Sequence, residues 1–593
     1  MKKRVADIVM EVLYEYGIHD CFGVVGGGAM HLDNALANFD KINKYFNHHE
    51  QASAMAAEAY ARISGKLAMV CVTSGPGGTN TLTGVMGAWQ DSLPMIVISG
   101  QVRYETTIAD AALPLRFRGI QEFDIINSIQ NMTKYSVMIT DPLTIKAELI
   151  KAISIAMEGR RGPVWVDIPL NIQSALVEEA ELYPYEAECL ETEQLTIKDL
   201  EETFNLLEQA KRPCILVGNG VRNSDSMKEF REFAKQMNIP IISAAIAADA
   251  MFRDYKGYYG MSGSIGPRVG NFILQNADVI LSIGCSLGYK TTGFAQEKFA
   301  PKAYIIAVDI DKNEMKKPGV RVDKYIHASI KSFCKGMINL NRSIQVEALW
   351  SEYCEKLNNR FTPFEGAEDC KLDERVCSYY FWEEYEKYEP EDSIVVLGNN
   401  TANSSKLQIG IRKEEQRIVA NNNCGSMGAD LPESIGAAVA AKREVICLTG
   451  DGSIMMNLQE LQTIKQYNLP VKIVIFSNNG YGAIRQTCKN FFNGLEIGCT
   501  PESGVSFPDF KKIADAFDYD YMLCENNESV GDSLKKLFKS DNQVILEILQ
   551  RLDDPVIPKV TSRLQEDGSF ATPALHDMAP FLDKEELDSL MLW

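Results

Sequence analysis

The chain has 593 residues, with 80 acidic against 60 basic side chains and a net charge of −20. That length makes room for about three or four domains, and the acidic balance, with no dense basic patch, argues against a nucleic-acid binder. No apolar run reaches the roughly 18 residues of a membrane helix, so no membrane partner is expected. The 14 cysteines are scattered, without a CxxC pair, and several (Cys71, Cys214, Cys447) sit inside apolar runs. They read as reduced, buried thiols of a cytoplasmic protein.

In chain order, the start, Met1-Lys2-Lys3-Arg4-Val5-Ala6-Asp7, runs into an amphipathic helix and does not read as a signal peptide. Short apolar strands then alternate with helical stretches: 20–25, 68–72 and 95–99. This is the pattern of a parallel sheet wrapped by helices, and it defines a first domain, 1–173. The acidic stretch 177–194 reads as a linker. A second domain, 195–345, carries strands at 213–217, closed by Gly218-Asn219-Gly220, and at 279–283 and 304–308. A charged helical connection leads to a third domain, 375–553. The polar, proline-punctuated tail, 554–593, shows no independent domain. The fold class is therefore α/β, with three doubly wound parallel-sheet domains.

The third domain holds the most informative pattern. The run Glu444–Leu448 ends in Thr449-Gly450-Asp451-Gly452-Ser453, and the run Val471–Phe476 ends in Ser477-Asn478-Asn479-Gly480. Two neighbouring parallel strands would deliver Asp451 and Asn478, 27 positions apart (478 − 451), to one sheet edge. A carboxylate, an amide oxygen and a backbone carbonyl are hard ligands suited to Mg²⁺ or Ca²⁺ holding a diphosphate, and the glycines let N–H groups approach phosphate oxygens. The pattern resembles the signature of the thiamine diphosphate enzymes.

A second feature is Glu50, at the head of the alanine-rich stretch Gln51–Arg62, whose small side chains demand close packing. A Glu at a helix start is ordinarily a dipole partner. Beside a thiamine diphosphate signature it is also the one carboxylate the cofactor needs, hydrogen-bonded to the aminopyrimidine ring. His49 is read as orienting Glu50, not as catalytic.

Across nearly its whole length the chain resembles the acetolactate synthase branch of that family. The likeness is carried by Phe22-Gly23-Val24-Val25-Gly26-Gly27, His49-Glu50-Gln51, Thr73–Asn80, Asp91-Ser92-Leu93-Pro94, Gly100-Gln101-Val102, Gln121-Glu122, Thr133-Lys134 and Gly425–Ala438. The resemblance implies that the first domain binds the aminopyrimidine and the third the diphosphate, in different subunits of a homodimer or homotetramer. It implies Glu50 as the activating residue and Met427 under the cofactor, with Gly425 beside it. Asp451, Asn478 and the Gly480 carbonyl would hold Mg²⁺. Gly450, Gly452, Ser453 and the Gly398-Asn399-Asn400 turn would meet the diphosphate. Gly26, Gly27, Gln121, Gln486 and Thr487 would line the substrate space.

Two departures bear on the substrate. After the Asn-Asn turn the family reads Gln-Trp, and this chain reads Gln486-Thr487, which opens the acceptor pocket. In the central domain, where the family carries two arginines, this chain reads Gly284-Cys285-Ser286-Leu287-Gly288-Tyr289-Lys290-Thr291-Thr292-Gly293. One of those arginines helps to hold FAD and the other guides the acceptor carboxylate. FAD stays open: Gly260-Met261-Ser262-Gly263 resembles a flavin-facing turn, and Arg268 is the candidate replacement. The expected activity is decarboxylation of a 2-oxo acid, pyruvate first, with transfer of the two-carbon hydroxyethyl unit to an acceptor carbonyl such as a bulky ketone or keto-sugar. The alternatives are acetolactate synthesis from pyruvate and a second 2-oxo acid, and a non-catalytic cofactor-binding subunit.

Overall fold

The computed structural model describes residues 2–185, 194–314, 316–365, 374–399, 401–564 and 570–593. A short strand, β1 (Lys2–Arg4), precedes six parallel ones: β2 (Asp20–Gly23), β3 (Asn43–Phe46), β4 (Met69–Val72), β5 (Met95–Gln101), β6 (Tyr135–Met138) and β7 (Pro163–Pro169), arranged β3-β2-β4-β5-β7-β6. β8 (Leu176–Glu178) returns to pair antiparallel with β1. The expected linker 177–194 therefore begins as a strand. Residues 186–193 of it lie outside the described residues.

The central sheet comprises β9 (Pro213–Val217), β10 (Ile241–Ala244), β11 (Tyr258–Ser262), β12 (Val279–Ile283), β13 (Tyr304–Asp309) and β14 (Lys324–His327), in the order β11-β10-β9-β12-β13-β14. The third sheet comprises β15 (Ile394–Leu397), β16 (Arg417–Ala420), β17 (Val445–Gly450), β18 (Val471–Ser477), β19 (Asp520–Cys524) and β20 (Val544–Leu549), in the order β16-β15-β17-β18-β20-β19. The first and third sheets thus share one topology, and all pairings within the three sheets are parallel. Strands such as β4, β5, β12, β17 and β18 are buried along their whole length. Helices covering both faces of a parallel sheet produce these continuous apolar runs.

The first and third domains meet through two helices, Glu50–Ser64 and Asp430–Ala441. A methyl group on Gly436 would lie 1.8 Å from the Ala56 carbonyl oxygen, so the backbones touch where the side chain is absent. The alanine-rich helix does pack closely, as its small side chains imply. The described part of the tail lies on the central domain, where Leu575 and Leu590 join the core.

Ten of the eleven cysteines that are free among the described residues are buried. Cys377, by contrast, is disulfide-bonded, which corrects the reading of the cysteines as uniformly reduced. Pairing depends on approach in space, which linear spacing does not display.

Candidate active site

In an open parallel sheet, ligands bind beyond the carboxyl ends of the strands where the strand order reverses. In the first sheet that point lies between β2 and β4, and the groups expected there converge on the turn Thr73–Gly78. A methyl group on Gly26 would lie 2.5 Å from Thr73 Cβ, while nothing crowds Gly27, which opens a 3₁₀ turn. The Gly26 N–H donates to Asp33 Oδ2 at 3.1 Å. Gln121 adopts a left-handed backbone (φ 61°), and its carbonyl lies against Gly75.

Glu50 is the first residue of its helix. His49 is the N-cap, its Nδ1 accepting the Gln51 N–H at 3.0 Å. The imidazole therefore fixes the helix start. The Glu50 carboxylate faces Gly77 and accepts one hydrogen bond, 2.9 Å from Asn80 Nδ2. It is half-buried in the single chain. Asn80 was not singled out from the sequence; its place just after the Thr73–Gly78 turn was the available signal.

In the third sheet the reversal lies between β15 and β17. Asp451 follows β17, and its carboxylate accepts N–H groups of Gly452 (2.8 Å) and Gly480 (3.3 Å). Burial pushes this carboxyl up to about 6, against the pull of backbone N–H groups from Asn478, Asn479, Gly452 and Gly480. Asn478 follows β18, which pairs directly with β17. Its Nδ2 donates to Gln550 Oε1 at 3.2 Å, while its Oδ1 is buried without a partner. A carboxylate beside an orphaned amide oxygen is a donor set that fits a hard divalent cation.

Ser453 spends its hydroxyl on neighbours. It donates to Asp430 Oδ2 at 2.6 Å and accepts the Gly428 N–H at 2.9 Å. Asp430 is fully buried, and burial raises its pKa. It also abuts Gly398, where a methyl would lie 2.2 Å from its carboxylate. Asn399 Nδ2 donates to the Gly425 carbonyl at 2.7 Å, tying the β15 turn to the loop before the Asp430–Ala441 helix. Asn400 lies outside the described residues. Gly425 has φ 60° with open space around it, the left-handed conformation that suits glycine. Met427 beside it is half-buried, and the Ser426 hydroxyl is buried and unpartnered. Asp430 and Asn457, which donates to the Gly428 carbonyl and to Gln51 Oε1 at 2.8 and 3.1 Å, are further positioning residues that the sequence alone did not single out. Through Asn457 the neighbour of Glu50 reaches the third domain.

Gln486 and Thr487 sit on the helix Gly482–Phe491. Gln486 Nε2 donates to the Asp554 carbonyl at 3.0 Å, at the start of the tail. Thr487 is exposed and turns its hydroxyl back to the Ala483 carbonyl at 3.0 Å.

Comparison with known proteins places the whole chain. Residues 3–125 match the N-terminal TPP binding domain of thiamine pyrophosphate enzymes, residues 200–337 the central domain and residues 397–548 the C-terminal TPP binding domain. The acetolactate synthase large subunit of Buchnera aphidicola subsp. Schizaphis graminum is 30% identical over 93% of this chain and 95% of its own length. The chain belongs to the thiamine pyrophosphate enzymes, in their acetolactate synthase-like branch. Two further relatives of this branch are the large subunit of Lactococcus lactis, 28% identical over 95% of both chains, and the isozyme 2 large subunit of Escherichia coli K12, 29% identical over 93% of this chain and 97% of its own. Among the described residues no helix is long and apolar enough to cross a membrane.

The central domain also has a crevice at its switch point. Its sheet reverses between β9 and β12, and a cavity of about 290 Å³ opens there, lined by Gly218, Gly284, Ser286, Asp309 and Arg160 among others. Glycine turns admit phosphate, and a carboxylate at a strand end is placed for ribose hydroxyls. Arg268 does not serve it. That side chain is buried, pairs with Glu365 at 2.9 Å and donates to the Met578 and Pro580 carbonyls of the tail. Its expected role as replacement flavin ligand is thereby corrected. Lys290 turns the other way, onto the Asn422 carbonyl.

Proposed function

We propose that this thiamine diphosphate-dependent enzyme is a decarboxylating carboligase that takes a two-carbon unit from a 2-oxo acid, pyruvate first, to an acceptor carbonyl bulkier than a second small 2-oxo acid. The observation that carries the acceptor assignment is Thr487: a short, exposed side chain bonded to its own helix stands where the family places an indole. An open pocket there suits a polar ketone or keto-sugar.

Mg²⁺ is assigned to Asp451, Asn478 Oδ1 and the Gly480 carbonyl, supported by the orphaned amide oxygen. Gly398, Asn399, Gly450, Gly452 and Ser453 form the cradle for the diphosphate, and Gly425 and Met427 support the aminopyrimidine. When bound, thiamine diphosphate supplies an acidic ring carbon and an electron sink for decarboxylation. Glu50 would meet the aminopyrimidine, and Asn80 fixes the Glu50 carboxylate in place. Gly26, Gly27 and Gln121 leave room for the 2-oxo acid, and Gln486, held by the tail, borders the acceptor side. The central crevice is where FAD would be held; visible flavin absorbance of the purified protein tests this.

Both half-sites are flanked by exposed apolar side chains. Leu113, Leu115, Phe117 and Ile120 are exposed in the segment that leads to Gln121, and Ile484, Phe491 and Ile497 are exposed in the segment that follows the Asn-Asn turn. Several exposed apolar side chains within short segments on both sides support a homo-oligomer whose partner chain covers the half-buried Glu50.

A second reading, acetolactate synthesis, is favoured by the relatives, which are acetolactate synthase large subunits. CO₂ release from pyruvate with thiamine diphosphate and Mg²⁺, with acetolactate assayed in the same tube, separates the two. Stoichiometric acetolactate would establish the synthase reading. Slow release from pyruvate alone, accelerated by a ketose acceptor, is the outcome expected here.

A further inference from the structure

Beyond β20 the tail is held by both the third and the central domains. The Ile557 N–H donates to the Tyr379 hydroxyl at 2.8 Å, and Gln408 Nε2 donates to the Pro558 carbonyl at 2.8 Å. The Val560 N–H donates to the Ser264 carbonyl of the central domain at 2.7 Å. Between these anchors, the Lys559 backbone exchanges hydrogen bonds with Ala579 at 2.9 and 2.8 Å. Three segments therefore fix the backbone from which the Lys559 side chain departs.

That side chain reaches the residue that borders the acceptor. Lys559 Nζ stands 3.5 Å from Gln486 Oε1, a neutral group at the outer limit of a hydrogen bond, and Gln486 is itself anchored to the Asp554 carbonyl. Among the described residues Lys559 forms no ion pair. Burial pulls its ammonium down from the ordinary lysine value and Asp553 opposes this, but the Asp553 carboxylate is paired with Lys489. The other cation on the helix of Gln486, Arg485, donates to the Leu552 and Asn479 carbonyls at 2.6 and 3.2 Å. Lys559 alone is left with N–H donors to spare and no counter-ion. A partly buried ammonium in that state is disfavoured until an oxyanion pairs with it.

We propose that Lys559 is a specificity-determining residue of the acceptor side, and that the acceptor carries an oxyanion, a phosphate or a carboxylate, which this ammonium holds. The inference rests on the carboligase reading above, in which Gln486 borders the acceptor, and it narrows that reading: the keto-sugar is anionic. A lysine ammonium is a point charge on a flexible stem, so it takes either oxyanion without the two-pronged geometry that an arginine imposes.

Steady-state kinetics of the holoenzyme with pyruvate, thiamine diphosphate and Mg²⁺ test this, with fructose 6-phosphate, 5-ketogluconate and uncharged fructose as acceptors. The wild-type KM is expected to be about tenfold lower, or more, for a charged ketose than for fructose, and the better of the two charged ketoses identifies the oxyanion. Lys559→Met should raise KM for that acceptor about tenfold or more at nearly constant kcat, with a much smaller change for fructose. Lys559→Arg restores the charge and should recover most of the loss. Equal KM values for charged and uncharged ketoses in wild type, or a Lys559→Met variant that does not raise KM selectively for the charged one, would overturn the proposal. Absence of turnover with every ketose would overturn the keto-sugar reading instead. The pair 2-oxobutyrate and propanal, which differ by the carboxylate, then decides the role of Lys559 by the same comparison.

Discussion

Asn478 shows how much one residue carries. Its amide nitrogen is committed to Gln550 while its oxygen is buried and unpaired beside the Asp451 carboxylate. Such an oxygen costs free energy until something binds it, which is the physical basis for assigning the cation there. Glu50 is the complementary case, a carboxylate held by one amide, Asn80, and otherwise open to a partner. Glu50→Gln keeps size and the hydrogen bond but removes the proton-holding group. Decarboxylation should fall by about 10²–10⁴-fold, the usual weight of one acid–base group, with thiamine diphosphate binding retained. Stopped assays of CO₂ release together with a cofactor-binding titration check both halves of that statement.

At the level of elements, the two helices that join the first and third domains cross at Gly436 and Ala56 with no space for a side chain. Gly436→Val should therefore cost about 1–3 kcal/mol or more through overpacking, read as a lowered denaturation midpoint. Strand β7 carries a different constraint. Asp167 is fully buried and accepts from Ser99 (2.5 Å) and Gln101 (3.0 Å). Burial pushes its carboxyl up to about 7 despite those donors. The folded pKa lies above the unfolded value of about 4, so its contribution to stability is fully present below that value and is lost as pH rises through about 7. Unfolding free energies measured from pH 5 to 8 should decline, and Asp167→Asn should flatten the decline by up to about 1.4 kcal/mol per pH unit.

Over the whole molecule, the apolar surfaces beside the two half-sites predict that activity requires more than one chain. Glu50→Gln and Asp451→Ala should each be inactive as homo-oligomers. If Glu50 of one chain serves Asp451 of another, mixing them under subunit exchange should restore about a quarter of wild-type activity, since half of random dimers would be mixed, with one intact site in two. No recovery, with exchange confirmed by mass, would place each site within one chain.

Much of this protein was legible in its residues. The apolar runs ending in Gly-Asp-Gly and Asn-Asn-Gly, Glu444–Leu448 and Val471–Phe476, become the adjacent parallel strands β17 and β18, because a run buried on both faces has few other solutions and its turn chemistry is local. The three-sheet architecture follows from the same alternation. Other features depended on approach in space between segments far apart in the chain. These include Asn80 on Glu50, Asn457 bridging Gln51 to Gly428, the disulfide at Cys377 and the tail covering Arg268. The sequence by itself determined the fold class, the family and the two cofactor-binding domains, since these rest on local periodicity and short motifs. Only the tertiary structure decided which polar groups find partners and that Asn478 is left with an unpaired oxygen. It also decided that the tail brings Lys559 to Gln486, because burial and pairing are properties of packed surfaces.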